Sequence, residues 1–165
     1  MSVLNRVNEN PTICGVELGF GGQLTPSAIA SFQRFSNSIM VNNNFTETYI
    51  SLGGVSFGEE SELKPAGFLY KQTVVFRFPA TDQFRSERLE LMTKVRFLKL
   101  KLSNGLDLVI GRNDFNQNAR PKISIKSNLK IGEIEFATLS IFPAGFVLNP
   151  SVTNNQQIPL LIYGN

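Results

Sequence analysis

The sequence predicts an all-β, mainly β fold: an antiparallel β-sandwich or a partly open β-barrel with one or two short helices. Three observations predict it. Apolar and polar residues alternate with a period of two in several separate stretches. Those stretches are bounded by Gly, Asn and Pro turn signals. Alternating βα units, the mark of a doubly wound fold, are missing.

The clearest stretch is Val95 to Gly111. Leu98, Leu100 and Leu102 alternate with Lys99 and Lys101, which places leucines on one sheet face and lysines on the other. Asn104-Gly105 tolerates the positive φ of a tight hairpin turn, and Leu106, Leu108 and Ile110 resume the alternation on the return strand.

In chain order, residues 1–11 are polar and read as an arm. Thr12 to Phe20 is a short strand that ends in Gly19-Phe20-Gly21-Gly22. Thr25-Pro26 looks like a helix start, and Ile29, Phe32, Phe35 or Ser36, and Ile39 recur at helical spacing, predicting a helix over 26–38. Phe45 to Leu52 is rich in Thr, Tyr and Ile and reads as a strand, broken by Gly53-Gly54. Gly58 to Gly67, with three glutamates and Pro65, reads as a surface loop.

Phe68 to Phe78 is the next strand, with Val74, Phe76 and Phe78 inward. Thr81-Asp82 is expected to cap a second helix over roughly 82–92. After the central hairpin, Asn113 to Pro121 is a polar loop, and Lys122 to Lys126 alternates with Ile123 and Ile125 inward. The last long strand runs from Glu133 to Phe142, with Ile134, Phe136, Leu139 and Ile141 assigned to the core. Within the tail, Ile158 to Tyr163 is capable of pairing. The organisation expected is thus an arm at 1–11, one domain at 12–142 and an extension at 143–165.

Composition narrows function. No apolar run is long enough to span a bilayer, so no membrane partner is expected, and the first ten residues lack the apolar core of a secretion signal. The single cysteine, Cys14, excludes an intramolecular disulfide, and its apolar strand context reads as a buried small hydrophobe. There is no histidine, which removes the usual general base, the commonest metal ligand and the Ser-His and Cys-His nucleophile pairs. The composition therefore points away from an enzyme, and no cofactor or metal is expected.

Motif-like stretches fail on spacing. Gly19 to Gly22 lacks a second glycine at the spacing a phosphate turn requires, and no Lys-Ser/Thr follows it. Asp114 to Asn118 opens like a calcium loop, but Ala119 and Ile125 stand where Gly and Glu are needed. Glu133 and Glu135 lie two apart on one strand face and read as a surface opposing a basic neighbour.

Charge carries more information. Net charge is +3, but residues 64–130 hold fourteen basic and five acidic side chains, while the remainder holds two basic and eight acidic. Lys99, Lys101, Arg112, Arg120, Lys122 and Lys126 form the expected basic interaction face; Glu59, Glu60 and Glu62 form the expected acidic one. Few aromatics interleave the basic residues, which argues against base-stacking readout and leaves only non-specific phosphate contact with DNA.

The run Ala66-Gly67-Phe68-Leu69-Tyr70-Lys71-Gln72-Thr73-Val74-Val75-Phe76 precedes the second helix. Arg96-Phe97-Leu98, Asn104-Gly105 and Val109-Ile110-Gly111 follow it. This succession, over about 66–142, resembles small virion proteins of tailed bacteriophages encoded among head, neck and tail genes. The resemblance is one of strand and turn rhythm and brings no functional residue. It implies a non-enzymatic structural subunit, at the neck or tail, that assembles with copies of itself and neighbouring virion proteins into a ring or tube. Such a subunit would be assembled in the host cytoplasm and carried in the virion. The alternative is a monomeric β-barrel or sandwich binding a small apolar ligand or carbohydrate in a cavity lined by some of its fourteen phenylalanines.

Overall fold

The computed structural model describes residues 11–20, 38–39, 45–51, 54–111, 120–141 and 143–147. The arm up to residue 10, residues 26–37 of the first expected helix, Arg112, the loop segment 113–119 and the Ile158–Tyr163 stretch lie outside them.

Ten strands and one helix are described: β1 (Ile13–Gly19), β2 (Ser38–Ile39), β3 (Phe45–Thr48), β4 (Val55–Lys64), β5 (Gly67–Pro79), α1 (Arg85–Thr93), β6 (Phe97–Leu102), β7 (Asp107–Ile110), β8 (Lys122–Ser127), β9 (Ile131–Ser140) and β10 (Gly145–Val147). They form two sheets. Sheet A has the order β2-β10-β7-β6-β1-β3 and is antiparallel except where β10 meets β2 in parallel. Sheet B has the order β4-β5-β9-β8 and is antiparallel throughout. The architecture is mainly β, two antiparallel sheets with one short helix and no closed barrel, as the alternation predicts.

Between the sheets lies one core. Sheet B supplies Val74, Phe76 and Phe78 from β5 and Ile134 and Phe136 from β9. Sheet A supplies Val16, Leu18, Leu98, Leu100 and Ile110, and Met92 of α1 and Val95 join them. The leucines of β6 therefore do what their period of two requires.

Several local expectations are corrected. Residues 58–67 are not a loop: they are the second half of β4, the two-residue Pro65-Ala66 turn and the first residue of β5, with Lys64 paired to Gly67. The glutamates mislead because acidic residues signal a loop only weakly, whereas ten consecutive cross-strand pairs with β5 hold the segment extended. The central turn is a three-residue connection, in which Gly105 (φ +80°) donates to the Leu102 carbonyl and Leu102 donates to that of Leu106.

Leu139 and Ile141 are exposed rather than buried, since β9 alternates without a bulge and places Thr138 and Ser140 inward instead. Cys14 is exposed, not buried, because a register shift between Ile13 and Gly15 turns it out of the alternation; its Sγ lies 3.3 Å from the Lys101 carbonyl oxygen. Ser38 belongs to β2, not to a helix.

The helix itself starts three residues later than predicted. Asp82 does not cap it; its Oδ1 accepts from the Phe84 N–H at 3.1 Å, a local turn that launches the helix, and its Oδ2 meets the Arg88 guanidinium.

One core contact admits only glycine. Gly132 stands across from Phe78, and a Cβ there would clash with the edge of the Phe78 ring, 2.8 Å from Cε1 and nearer still to Cζ. Gly58, on the outward side of β4, has open space around it. Gly132→Ala is expected to lower stability by about 2 kcal/mol through overpacking. Gly58→Ala is expected to raise it by about 0.5 kcal/mol, by restricting the unfolded chain. Urea unfolding of the two variants beside the parent checks both signs.

Candidate interaction surfaces

The outward side of sheet A is where the first two predicted basic residues lie. Register sets Glu17 of β1 directly between Lys99 of β6 and Glu47 of β3, and sets Lys101 between Gly15 and Asp107. Glu17 and Glu47 thus oppose one another across the β1–β3 pairing, an unfavourable placement in isolation. Lys101 resolves it: its Nζ is 2.6 Å from Glu17 Oε1 and 2.5 Å from Glu47 Oε1. The Lys99 ammonium pairs with Glu17 Oε2, lies 3.9 Å from Asp107 Oδ2, and stands 5.1 Å from the centroid of the Phe45 ring.

Glu17 is only 6 % exposed, and the lysine stems close over it. Burial pushes its carboxyl pKa up, but the hydrogen bonds and charges of Lys101 and Lys99 more than offset this, and the group ends below its ordinary value of 4.5. Lys101 moves the other way: its bonds to Glu17 and Glu47 raise its pKa above the ordinary 10.5.

The expected basic face is therefore not one surface. Lys99 and Lys101 belong to a ladder on sheet A in which Glu17, Glu47 and Asp107 match their charge. Lys122 and Lys126 lie on β8, an edge strand of sheet B, with Arg120 just before it. There Lys126 stands across from Glu133, whose Oε2 also accepts from Arg77 Nε at 2.8 Å.

The expected acidic face divides as well. Glu60 and Glu62 point outward from β4, in register with Lys71 and Leu69, and Glu62 pairs with Lys64 at 2.5 Å. Glu59 points to the inner side, where its Oε2 accepts from Gln72 Nε2 at 2.9 Å and from the Ala144 N–H at 2.7 Å. Residue type alone could not separate the three; strand parity does.

Sequence reading missed Glu17, Glu47 and Asp107 as the partners of the lysines. It also missed Leu63 and Phe68, a cross-strand pair near the β4–β5 turn, exposed by 68 % and 56 %. Among the described residues, no group of three or more Cys, Asp and Glu is placed to hold a metal ion, and no helix is long and apolar enough to cross a membrane. Comparison with protein-family models, with curated proteins and with solved structures finds no match to this chain.

The Glu17 ladder has a defined pH signature. Since its folded pKa lies below 4.5, its contribution is complete above pH 4.5 and is lost as pH falls through the lowered value. The Lys101 contribution is complete below pH 10.5 and is lost as pH rises through its raised value. Glu17→Gln is expected to cost about 1–2 kcal/mol at neutral pH, because it leaves two lysines beside an uncharged group. Glu62→Gln, in an exposed pair, is expected to cost less than about 0.5 kcal/mol. Denaturant melts of both variants at neutral and acid pH test this, and the difference between parent and Glu17→Gln should shrink on acidification.

Proposed function

We propose that this chain is a non-enzymatic structural subunit of a phage particle or related tube or ring, most simply at the neck or tail. It works by packing its β-domain against copies of itself and neighbouring virion proteins. Assembly in the host cytoplasm and residence in the virion go with this reading, as does the strand-and-turn likeness over 66–142.

The observation that carries it is the end of the β4–β5 hairpin. Pairing with β9 begins at Tyr70, so among the described residues the hairpin from Ser61 to Leu69 has only its own two strands. Leu63 and Phe68 face each other there, on the side of the ribbon that elsewhere packs on the core. A two-stranded ribbon gains little stability in water by itself. An exposed aliphatic–aromatic pair on it gains roughly 1.5–3 kcal/mol per side chain when a partner surface buries it. An exposed apolar pair on such a ribbon favours protein contact.

The charge distribution supports protein contact more than contact with DNA, since Lys99 and Lys101 are already matched by Glu17, Glu47 and Asp107. Non-specific DNA binding would fall to Arg120, Lys122 and Lys126. The alternative of a ligand-binding barrel draws less support: Phe76, Phe78 and Phe136 are fully buried within the core cluster and pack against its other side chains.

Sedimentation velocity over a concentration series tests the reading. The parent chain is expected to self-associate, and Leu63→Ser with Phe68→Ser is expected to weaken association while shifting unfolding stability by no more than about 0.5 kcal/mol. A parent that stays monomeric at the highest concentration reached, or a double variant that associates as the parent does, would count against it.

A further inference from the structure

Sheet B ends on two strands that have no outer neighbour among the described residues, and the two edges carry opposite charge. β4 has ten residues with three glutamates against one lysine, a net −2. β8 has six residues with two lysines and no carboxylate, a net +2, and Arg120 precedes it. Unpaired N–H and C=O groups along a sheet edge are a template for another strand. Among the described residues, the edges of sheet A are, by contrast, the two-residue β2 and the four-residue β3.

Geometry favours a join between the two long edges. Glu60 and Glu62 lie on the outward side of sheet B, and so do Lys122 and Lys126. Directly across from Lys122 in its own sheet stands Ala137, so the facing position holds no carboxylate. Every neighbouring pair in the sheet is antiparallel, so β4 and β8 run in opposite directions. A second copy that continues the sheet therefore brings its β4 antiparallel to this β8.

We propose, building on the subunit reading above, that copies of the chain join edge to edge. β8 of one copy pairs with β4 of the next, extending sheet B across the contact, with Glu60 and Glu62 of one copy facing Lys122 and Lys126 of the other. Placing Glu62 across from Lys122 puts Glu60 across from Ser124 and diagonal to Lys126, and gives Lys126 the open space over Gly58. The Glu62–Lys64 pair is exposed and weakly held, so Glu62 is available to the neighbour at small cost. The contact is heterologous, so it closes into a ring or runs on as a filament.

Two variants test this. Glu60→Lys with Glu62→Lys makes both edges basic; Lys122→Glu with Lys126→Glu makes both acidic. In sedimentation velocity at low salt, each full-length variant alone is expected to self-associate at least about tenfold more weakly than the parent. An equimolar mixture is expected to assemble again, because each edge then meets its opposite. Circular dichroism matching the parent shows that the fold is kept.

Should either variant misfold, Glu62→Cys with Lys122→Cys in a Cys14→Ser background is expected to give a disulfide-linked ladder on mild oxidation. Variants that associate as the parent does, a mixture that stays monomeric, or a parent-like assembly without a ladder would overturn the edge contact and leave the subunit reading standing. A parent that remains monomeric would overturn both.

Discussion

The structure depends most on the unbroken pairing of β5 with β9. Ten residues of each strand meet in register, from Tyr70 with Ser140 to Pro79 with Ile131, without a bulge. With a period of two, that register decides every facing on sheet B, and a slip of one residue would invert them all. It sets Val74 beside Phe136 and Phe76 beside Ile134 on the inner side, and puts Phe78 over the one residue small enough to lie beneath its ring. The same register sets Arg77 beside Glu133 on the outer side. Further along, the inner positions become Gln72, Thr138 and Ser140, which are buried but polar. The core ends at that level, while β4 and β5 continue past the last residue of β9.

Electrostatics are subordinate to this frame. The chain looks divided into a basic middle and acidic flanks, but the sheets interleave them. Glu17 from an acidic flank reaches Lys99 and Lys101 across the β1–β6 pairing, more than eighty residues away along the chain. Exposed ion pairs add little to stability, whereas a carboxylate as enclosed as Glu17 must have its partners to be tolerated. The lysines of β6 thus meet a local requirement of sheet A. The two edges of sheet B carry net charge of opposite sign.

Legibility in the sequence followed the range of the interactions. The β6–β7 hairpin could be read because its partners are close in sequence and its alternation is strict. The inward side of β5 and the existence of a helix after Pro79 could be read for the same reason. The ends of elements were harder: Asp82 has the residue type of a cap, yet only the conformation shows that it closes a turn ahead of the helix. Cys14 was misread because a bulge displaces one residue without leaving a mark in the pattern. Leu139 was misread because a hydrophobic residue was assumed to face inward where parity sends it outward. For the candidate surfaces, residue types were visible, but their grouping was not. Lys99 and Lys122 look alike in a list of basic residues and belong to different sheets.

The remaining question is why two long edges persist on one sheet. Natural sheets shorten, twist or cover an edge, or place charge along it, to stop unwanted addition of strands. Among the described residues, the edges of sheet A are short. Sheet B places charge instead, and the sign differs between its two sides. Charge of one sign on both edges would repel every copy in every orientation. Charge of opposite sign rejects β4 against β4 and β8 against β8, since each would stack like charges across the new pairing. Only β4 against β8 escapes that penalty, and it is also the one arrangement that continues the strand order of the sheet. In the proposed edge contact these charges would therefore act as selection between partners rather than as protection alone, and the rejected pairings would give the permitted one its specificity.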